Sequence, residues 1–375
     1  MTRRLLLATA IAASLTILAG AQTPAVLNKT DPELRPRVAA SIEKGLGFLD
    51  QLQKPEGYWS TGDYPGLTGL IVQAYLAAPG DQHRNSPTAI KGLDFIRKSA
   101  RPDGSISADR MANYNTSVCL STLLRAGDAQ DGKLIEGARA FLIGGQVKNS
   151  AIPVNDGGFG YDPAGGTKTS RPDLDNTLFA LEALQLYREA NRAKEIRPGK
   201  DLDWQAAMDF ITRCQQLPSH NKEEWVSESE SERGGFVYTP ATDGKEPLRA
   251  YGTMTYAGVL SFLYADMNAD DPRLIAARDW LAKHYTLEEN PGQGAQGLYY
   301  YYHLMAKGLS ALGIAEMKTA DGRTVNWRAE LAAKLLSLQK PDGSWASENA
   351  RWMEKDPNLV TTYCLLALSY VHDRL

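Results

Sequence analysis

Asp173 and Asp175 are the residues whose types and spacing come nearest to chemistry in this chain. They head an almost uncharged run, Asp173-Leu174-Asp175-Asn176-Thr177-Leu178-Phe179-Ala180-Leu181. Carboxyls crowded in an apolar setting hold at least one proton tightly, which suits a general acid. At the start of a helix the same residues also suit capping, because an aspartate accepts from orphan N–H groups and meets the positive dipole end. Both readings stay open for Asp173 and for Asp175. The second candidate is His303, which ends the run Gly297-Leu298-Tyr299-Tyr300-Tyr301-Tyr302-His303. An imidazole there suits acid–base work or a buried structural hydrogen bond. Helical spacing cannot put all four tyrosines on one face, so Tyr299 and Tyr302 or His303 are expected inward, with Tyr300 and Tyr301 packed sideways. Arg249 can hold an anionic group or pair with Asp175.

The elements that position these residues are repeats. Gln53-Lys54-Pro55-Glu56-Gly57-Tyr58-Trp59 returns as Gln339-Lys340-Pro341-Asp342-Gly343-Ser344-Trp345. Each phrase follows a helix-like segment with one charged face and precedes a nearly uncharged helix. Six such pairs are expected, with second helices at 66–78, 114–126, 173–190, 251–265, 298–313 and 358–371. Helices apolar nearly all round are buried, so six pairs predict two concentric layers closed into a ring. In the turns, Pro stops the helix and Gly takes the positive φ. The Gln amide is expected to bond orphan carbonyls of its own helix, and Trp to pack under the next helix.

Glutamine, glycine and tryptophan at this spacing resemble the repeats of squalene and hopene cyclases and of protein prenyltransferase β subunits. The resemblance covers the chain from about residue 35 to its end and implies an all-α fold: an α/α toroid of six inner and six outer helices. The phrase is strong in the first and last repeats and reduced to a Gly with or without an aromatic in the other four. In such a barrel the inner-helix N-termini gather at one mouth. There the ligand-facing candidates are Tyr64, Tyr114, Asn115, Asn176, Arg249, Tyr251, Tyr256, Tyr299, Tyr302 and Tyr363, a polar, aromatic-rich ring over an apolar interior. The Asp173–Ala180 stretch is similar to the Asp-x-Asp-Asp-Thr-Ala motif of hopene cyclases. The resemblance implies Asp175 as the acid that protonates an alkene and Asp173 as its partner; Asn176 replaces the last aspartate. The run ending at His303 is similar to the segment carrying the prenyltransferase zinc-ligand histidine. The preceding inner helix, Tyr251-Gly252-Thr253-Met254-Thr255-Tyr256, lacks that family's Asp and Cys ligands. No metal, no cofactor and no prenyl transfer are therefore expected.

Composition narrows the classes further. Residues 1–21 have an export pattern: Arg3 and Arg4, an apolar stretch Leu5–Leu18, then Ala19-Gly20-Ala21 for cleavage. Adjacent arginines leave twin-arginine export open, and the apolar length leaves a retained anchor open. Residues 22–34 are expected to link this segment to the toroid domain, 35–375. The formal net charge is −3 over 375 residues, which gives no electrostatic case for nucleic acid. Cys119, Cys214 and Cys364 lack metal spacing and read as buried small residues. The acidic stretch Leu217–Pro247 reads as a solvated loop. No nucleophile elbow, phosphate loop, HExxH or nucleotide fingerprint is present. Three functions are compatible with these features. One is an exported, periplasmic or secreted, protein that binds a ligand at the mouth: an apolar or polycyclic small molecule, a protein or a polysaccharide. The second is a type II cyclase with Asp175 as acid. The third is a polysaccharide hydrolase or lyase, which needs two facing carboxylates.

Overall fold

The periodicity resolves into helix pairs. The computed structural model describes residues 31–163, 171–192, 201–240 and 248–375; the expected export segment lies outside them. The pairs are α1 (Leu34–Leu52) with α2 (Pro65–Ala77), α3 (Pro87–Lys98) with α4 (Ala112–Ala126), and α5 (Gly132–Gly145) with α6 (Leu174–Ala190). They continue with α7 (Trp204–Arg213) and α8 (Gly252–Tyr264), α9 (Pro272–Lys283) and α10 (Leu298–Ala311), and α11 (Trp327–Leu338) and α12 (Pro357–His372). The odd helices bury one stripe: α3 buries Ala89, Gly92, Leu93 and Ile96, at helical spacing. The even helices are buried on all sides, as α8 is from Gly252 to Phe262. One antiparallel hairpin, β1 (Met317–Lys318) with β2 (Thr324–Val325), departs from the expected all-helical pattern.

The even helices form a closed inner ring. α2 packs on α4, α4 on α6, α6 on α8, α8 on α10, α10 on α12, and α12 returns to α2. Closure also joins the outer layer, where α11 packs on α1. The starts of the inner helices are stitched together, each to the next repeat. Asn115 at the head of α4 accepts from the Gly66 N–H of α2 at 2.8 Å. Asp162 accepts from Ala112 of α4 at 2.9 Å. The Tyr238 carbonyl accepts from Leu174 of α6 at 2.8 Å. Asn290 accepts from Thr253 of α8 at 3.1 Å. Asn358 at the head of α12 donates to Ser60 in the first repeat at 2.8 Å. Orphan N–H groups of buried helix ends need such partners. The stitching brings these helix starts to one side of the ring, which is the mouth.

The repeated phrase is the clamp between repeats, and its parts act differently from the sequence expectation. The Gln339 amide donates to the Gly343 carbonyl and to the Ser41 carbonyl of α1, both at 2.9 Å. It bonds the next outer helix, not its own. The orphan carbonyl of its own helix is taken by tryptophan: Trp345 Nε1 donates to Leu335 O, and Trp59 Nε1 to Leu49 O, each at 2.8 Å. The same glutamine clamp recurs at Gln53, Gln146 and Gln215, which reach Thr88, Asp203 and Arg273 carbonyls. The third and fourth repeats looked degraded because longer turns separate Gln146 from Gly157 and Gln215 from Gly234. Gly343 shows why glycine is needed: φ is +91° and a Cβ would sit 2.3 Å from the Lys44 carbonyl oxygen. All three cysteines are buried and free. Within the acidic stretch, residues 217–240 run as turns and 241–247 lie outside the described residues; Glu232 accepts from the Ala250 N–H at 2.8 Å.

Candidate functional site at the mouth of the inner ring

Asp173 is the N-cap of α6 and is 3% exposed. Its Oδ1 accepts from the Asn176 N–H at 2.8 Å and its Oδ2 from Asn176 Nδ2 at 2.7 Å. Both oxygens of Asp173, the Asn176 N–H and the Asn176 side-chain NH2 are thus held by the cap. Burial still pushes the Asp173 carboxyl up to about 7, against the Asn176 bonds. Thr177 is a repeat staple: its hydroxyl donates to Asp173 O at 2.7 Å and accepts from Phe159 N–H at 3.0 Å. Thr116, Thr255 and Thr361 accept from turn N–H groups in the same way. Of the Asp173–Thr177 motif, the partly exposed Asp175 carboxyl is left for a ligand, and the Asn176 side-chain oxygen is buried without a partner.

Asp175 sits in the first turn of α6, partly exposed. Its Oδ1 accepts from the Tyr300 hydroxyl at 2.6 Å. Burial pushes its carboxyl up to about 6, while the Tyr300 bond pulls the other way. Tyrosines surround it. Burial first, and the nearby Asp175 charge second, raise the hydroxyls of Tyr114, Tyr161, Tyr251 and Tyr300. The same charge reaches Tyr238 and Tyr363. Tyr300 and Tyr363 lie 5.1 Å apart, and Tyr114 meets Phe179 edge-on at 5.1 Å. Tyr161 joins Tyr114 at 6.2 Å and accepts from the Tyr238 hydroxyl at 3.5 Å. Tyr114 and Tyr300 on inner helices and Tyr161 and Tyr238 in the turns before α6 and α8 are all partly exposed, so solvent reaches the ring they form.

One face of α10 carries Tyr300, His303 and Lys307, at spacings of three and four. His303 is 5% exposed, one turn below Tyr300, and stacks on Tyr363 at 5.9 Å and 14°. Burial, aided by the Lys307 charge, lowers it to about 3, so it stays neutral and its protonated form is scarce at neutral pH. Its Nδ1 has no partner. Two turns below Asp175, or about 10 Å, lies Glu182. Its Oε2 meets Lys307 Nζ at 2.5 Å and its Oε1 meets an Arg125 amino group at 2.8 Å. Burial pushes Glu182 up, but Lys307 and Arg125 outweigh it and hold the carboxyl at about 2. These cations stand near the inner-helix C-termini and the carboxyls at the N-termini, as the helix dipoles favour.

Several expected ligand residues are engaged elsewhere. The hydroxyls of Tyr299 and Tyr302 donate to the Ala346 and Leu287 carbonyls. Tyr300 faces the axis instead, one residue off the expected register. Tyr256 packs on Tyr301 between α8 and α10. Asn115 caps α2. Arg249 is exposed and makes no ion pair with Asp175. Tyr64 is the partly exposed N-cap of α2. Tyr114, Tyr251 and Tyr363 join the ring around Asp175.

Glu354 was not found from sequence. It is 1% exposed, and its Oε1 accepts from the Tyr299 and Tyr300 N–H groups at 3.1 and 3.0 Å. It caps α10, which starts at a glycine with no side-chain cap of its own. Burial raises it to about 7 despite those bonds. The missing cap of α10 was the only sequence signal, and nothing in the sequence tied it to a residue fifty-five positions away. Among the described residues no three His, Cys, Asp or Glu side chains converge as metal ligands, and no helix is long and apolar enough to cross a membrane. A recess of about 270 Å³ beside α9, α10 and the hairpin, lined by Ile275, Arg278 and Met317, is not part of the mouth.

Three raised carboxyls make stability pH-dependent. Between their unfolded values near pH 4 and their folded values of about 6 to 7, the native state binds more protons than the unfolded chain. Their stabilisation is full below that window and is lost as pH rises through it. The melting temperature is expected to rise from pH 7.5 to about pH 5; a melting temperature that falls steadily over that range in a buffer series contradicts the assignment.

No family model matches the chain. The fold is shared with solved α/α toroids. The type II terpene cyclase MstE from Scytonema aligns with a TM-score of 0.54 and 14% identity, over 90% of this chain and 98% of that one. An inactive α-1,6-mannanase GH76A of Salegentibacter sp. in complex with α-1,6-mannotriose aligns with a TM-score of 0.55 and 13% identity, over 89% and 98%. Candida albicans protein geranylgeranyltransferase-I complexed with GGPP aligns with a TM-score of 0.50 and 16% identity, over 87% and 90%. The chain is an α/α toroid, the fold it shares with these three structures. That scaffold carries a cyclase, a glycosidase and a transferase, so the fold does not choose among chemistries.

Proposed function

We propose that this protein binds a small molecule with an apolar body at the mouth of the inner ring, with Asp175 as the polar anchor. One observation carries the reading: Asp175 is partly exposed inside a ring of tyrosines, with one hydroxyl partner and no basic partner among the described residues. Asp173 caps α6 through both oxygens, and Glu354 caps α10 through one while its other oxygen is buried and unpartnered; among the described residues neither is exposed opposite Asp175 as the second carboxylate that glycoside cleavage needs. The reading includes export, which rests on the pattern of residues 1–21 alone.

A second reading is proton donation to an alkene by Asp175, as the hopene-cyclase resemblance implies. Its raised carboxyl, at about 6, favours it. The Tyr300 hydroxyl favours the carboxylate instead. Below Asp175 the axis holds the neutral His303 and, deeper, Lys307 and Arg125, two cations that share the one Glu182 carboxylate. Cations along the axis work against a carbocation moving into it.

Mass spectrometry of molecules retained by the purified protein tests the proposal. Wild type is expected to retain a small molecule that Asp175→Asn retains at least about tenfold less, the loss of one charge-assisted contact. Empty spectra from both proteins count against binding and cyclisation alike.

A further inference from the structure

We infer that the ligand is an organic cation of the substituted-ammonium class, an inference that rests on the binding reading above. Among the described residues each buried carboxylate has its charge met, Asp173 and Glu354 by N–H groups at helix starts and Asp131 and Glu182 by basic side chains. Asp131, 2% exposed, holds Arg97 at 2.8 Å, and Glu182, 3% exposed, holds Lys307 and Arg125. Asp175 is the exception, with only the Tyr300 hydroxyl. The positive N-terminal ends of α6 and α10 do not supply the missing charge. Asp173 already meets the first and Glu354 the second. The Asp175 charge is therefore left for a ligand to neutralise.

The walls suit the same ligand. Tyr300 and Tyr363 form one side, tilted by 38° at 5.1 Å, and Tyr114 against Phe179 forms another. Aromatic faces around a carboxylate attract a diffuse cation, and ring faces accommodate its alkyl groups. An anion would face Asp175 and the negative ring faces at once. His303, one turn below, is neutral, and the Arg351 charge reaches the ring at Tyr251 without bonding Asp175. The Lys307 and Arg125 charges share Glu182 two turns below Asp175, so their net positive charge opposes a cation moving down the axis and not one held at the ring.

The test is isothermal titration of the full chain with choline and with acetylcholine. Each is set against the neutral isostere in which carbon replaces the quaternary nitrogen, 3,3-dimethylbutan-1-ol and 3,3-dimethylbutyl acetate. The cation is expected to bind at least about tenfold more tightly than its isostere. Asp175→Asn and Tyr363→Leu are each expected to erase that preference, with urea midpoints confirming that both variants fold. Equal binding of cation and isostere overturns the cation inference and leaves binding at the mouth intact. Binding of neither member of either pair also overturns it, and the retained-molecule spectra then judge the binding reading separately. A preference that survives both substitutions puts the cation outside the tyrosine ring and equally overturns it.

Discussion

Trp345→Ala is expected to destabilise the fold by about 4 kcal/mol, read as a lowered urea midpoint. Trp345 is 0% exposed, and its indole N–H closes the orphan Leu335 carbonyl at the end of α11. Its ring lies against Gly45 of α1, where an added Cβ would meet the indole at 3.1 Å. The substitution therefore leaves a cavity and an unpaired helix-end carbonyl at the seam where the last repeat meets the first. Trp352 is the control. It is 45% exposed, so Trp352→Ala is expected to cost no more than about 0.5 kcal/mol. Equal effects at the two tryptophans would show that ring closure does not depend on the repeated phrase.

Glu182→Ala is expected to cost a similar amount, about 3–5 kcal/mol, because it strands Lys307 and Arg125 without their shared partner. Replacing Glu182 and Lys307 together by leucine and methionine is expected to recover only part of that loss, since Lys307 is no longer stranded but Arg125 still is. Two urea titrations and the double mutant decide this. If the single change costs less than about 1 kcal/mol, the ion pair is solvated and the axis is open to water at its floor. The acid limb of stability follows from the same carboxyl. Its folded value of about 2 lies below that of a free glutamate. Its contribution is thus full above about pH 4.5 and is lost as pH falls through the folded value. In Glu182→Ala this loss should disappear from the acid limb, while the rise from pH 7.5 to about pH 5 remains.

Much of the site's neighbourhood was legible in the sequence, and its assignments were not. The acidic, tyrosine-rich character of the inner-helix starts follows from composition, because these are the first turns of buried helices. By residue type Asp173 and Asp175 both suit capping or acid work, and only the hopene-cyclase resemblance puts the acid at Asp175. Backbone geometry separates them: the residue just before α6 caps it, and the residue two later points where the helix turn directs it. The tyrosine run failed in a different way. At 100° per residue, an error of one position moves a side chain from the axis into the wall. Tyr299 and Tyr302 or His303 are expected inward; Tyr300 and His303 stand there, and Tyr299 and Tyr302 bond wall carbonyls. Glutamine was read as a cap for its own helix, yet Trp59 and Trp345 perform that task. Local sequence does not say which of two donors reaches a carbonyl.

The sequence by itself determined the architecture: paired helices, one layer amphipathic and one uncharged, closed into a toroid by matching first and last turns. Hydrophobic periodicity and turn chemistry are local, and a ring of like repeats magnifies them. Only the tertiary structure decided which carboxyl is free for a ligand, that Glu354 caps α10, and that Glu182, Lys307 and Arg125 meet on the axis. These depend on how far each inner helix is rotated about its own length and on bonds between residues more than fifty positions apart. Packing of the whole ring sets those rotations, and no single repeat contains them.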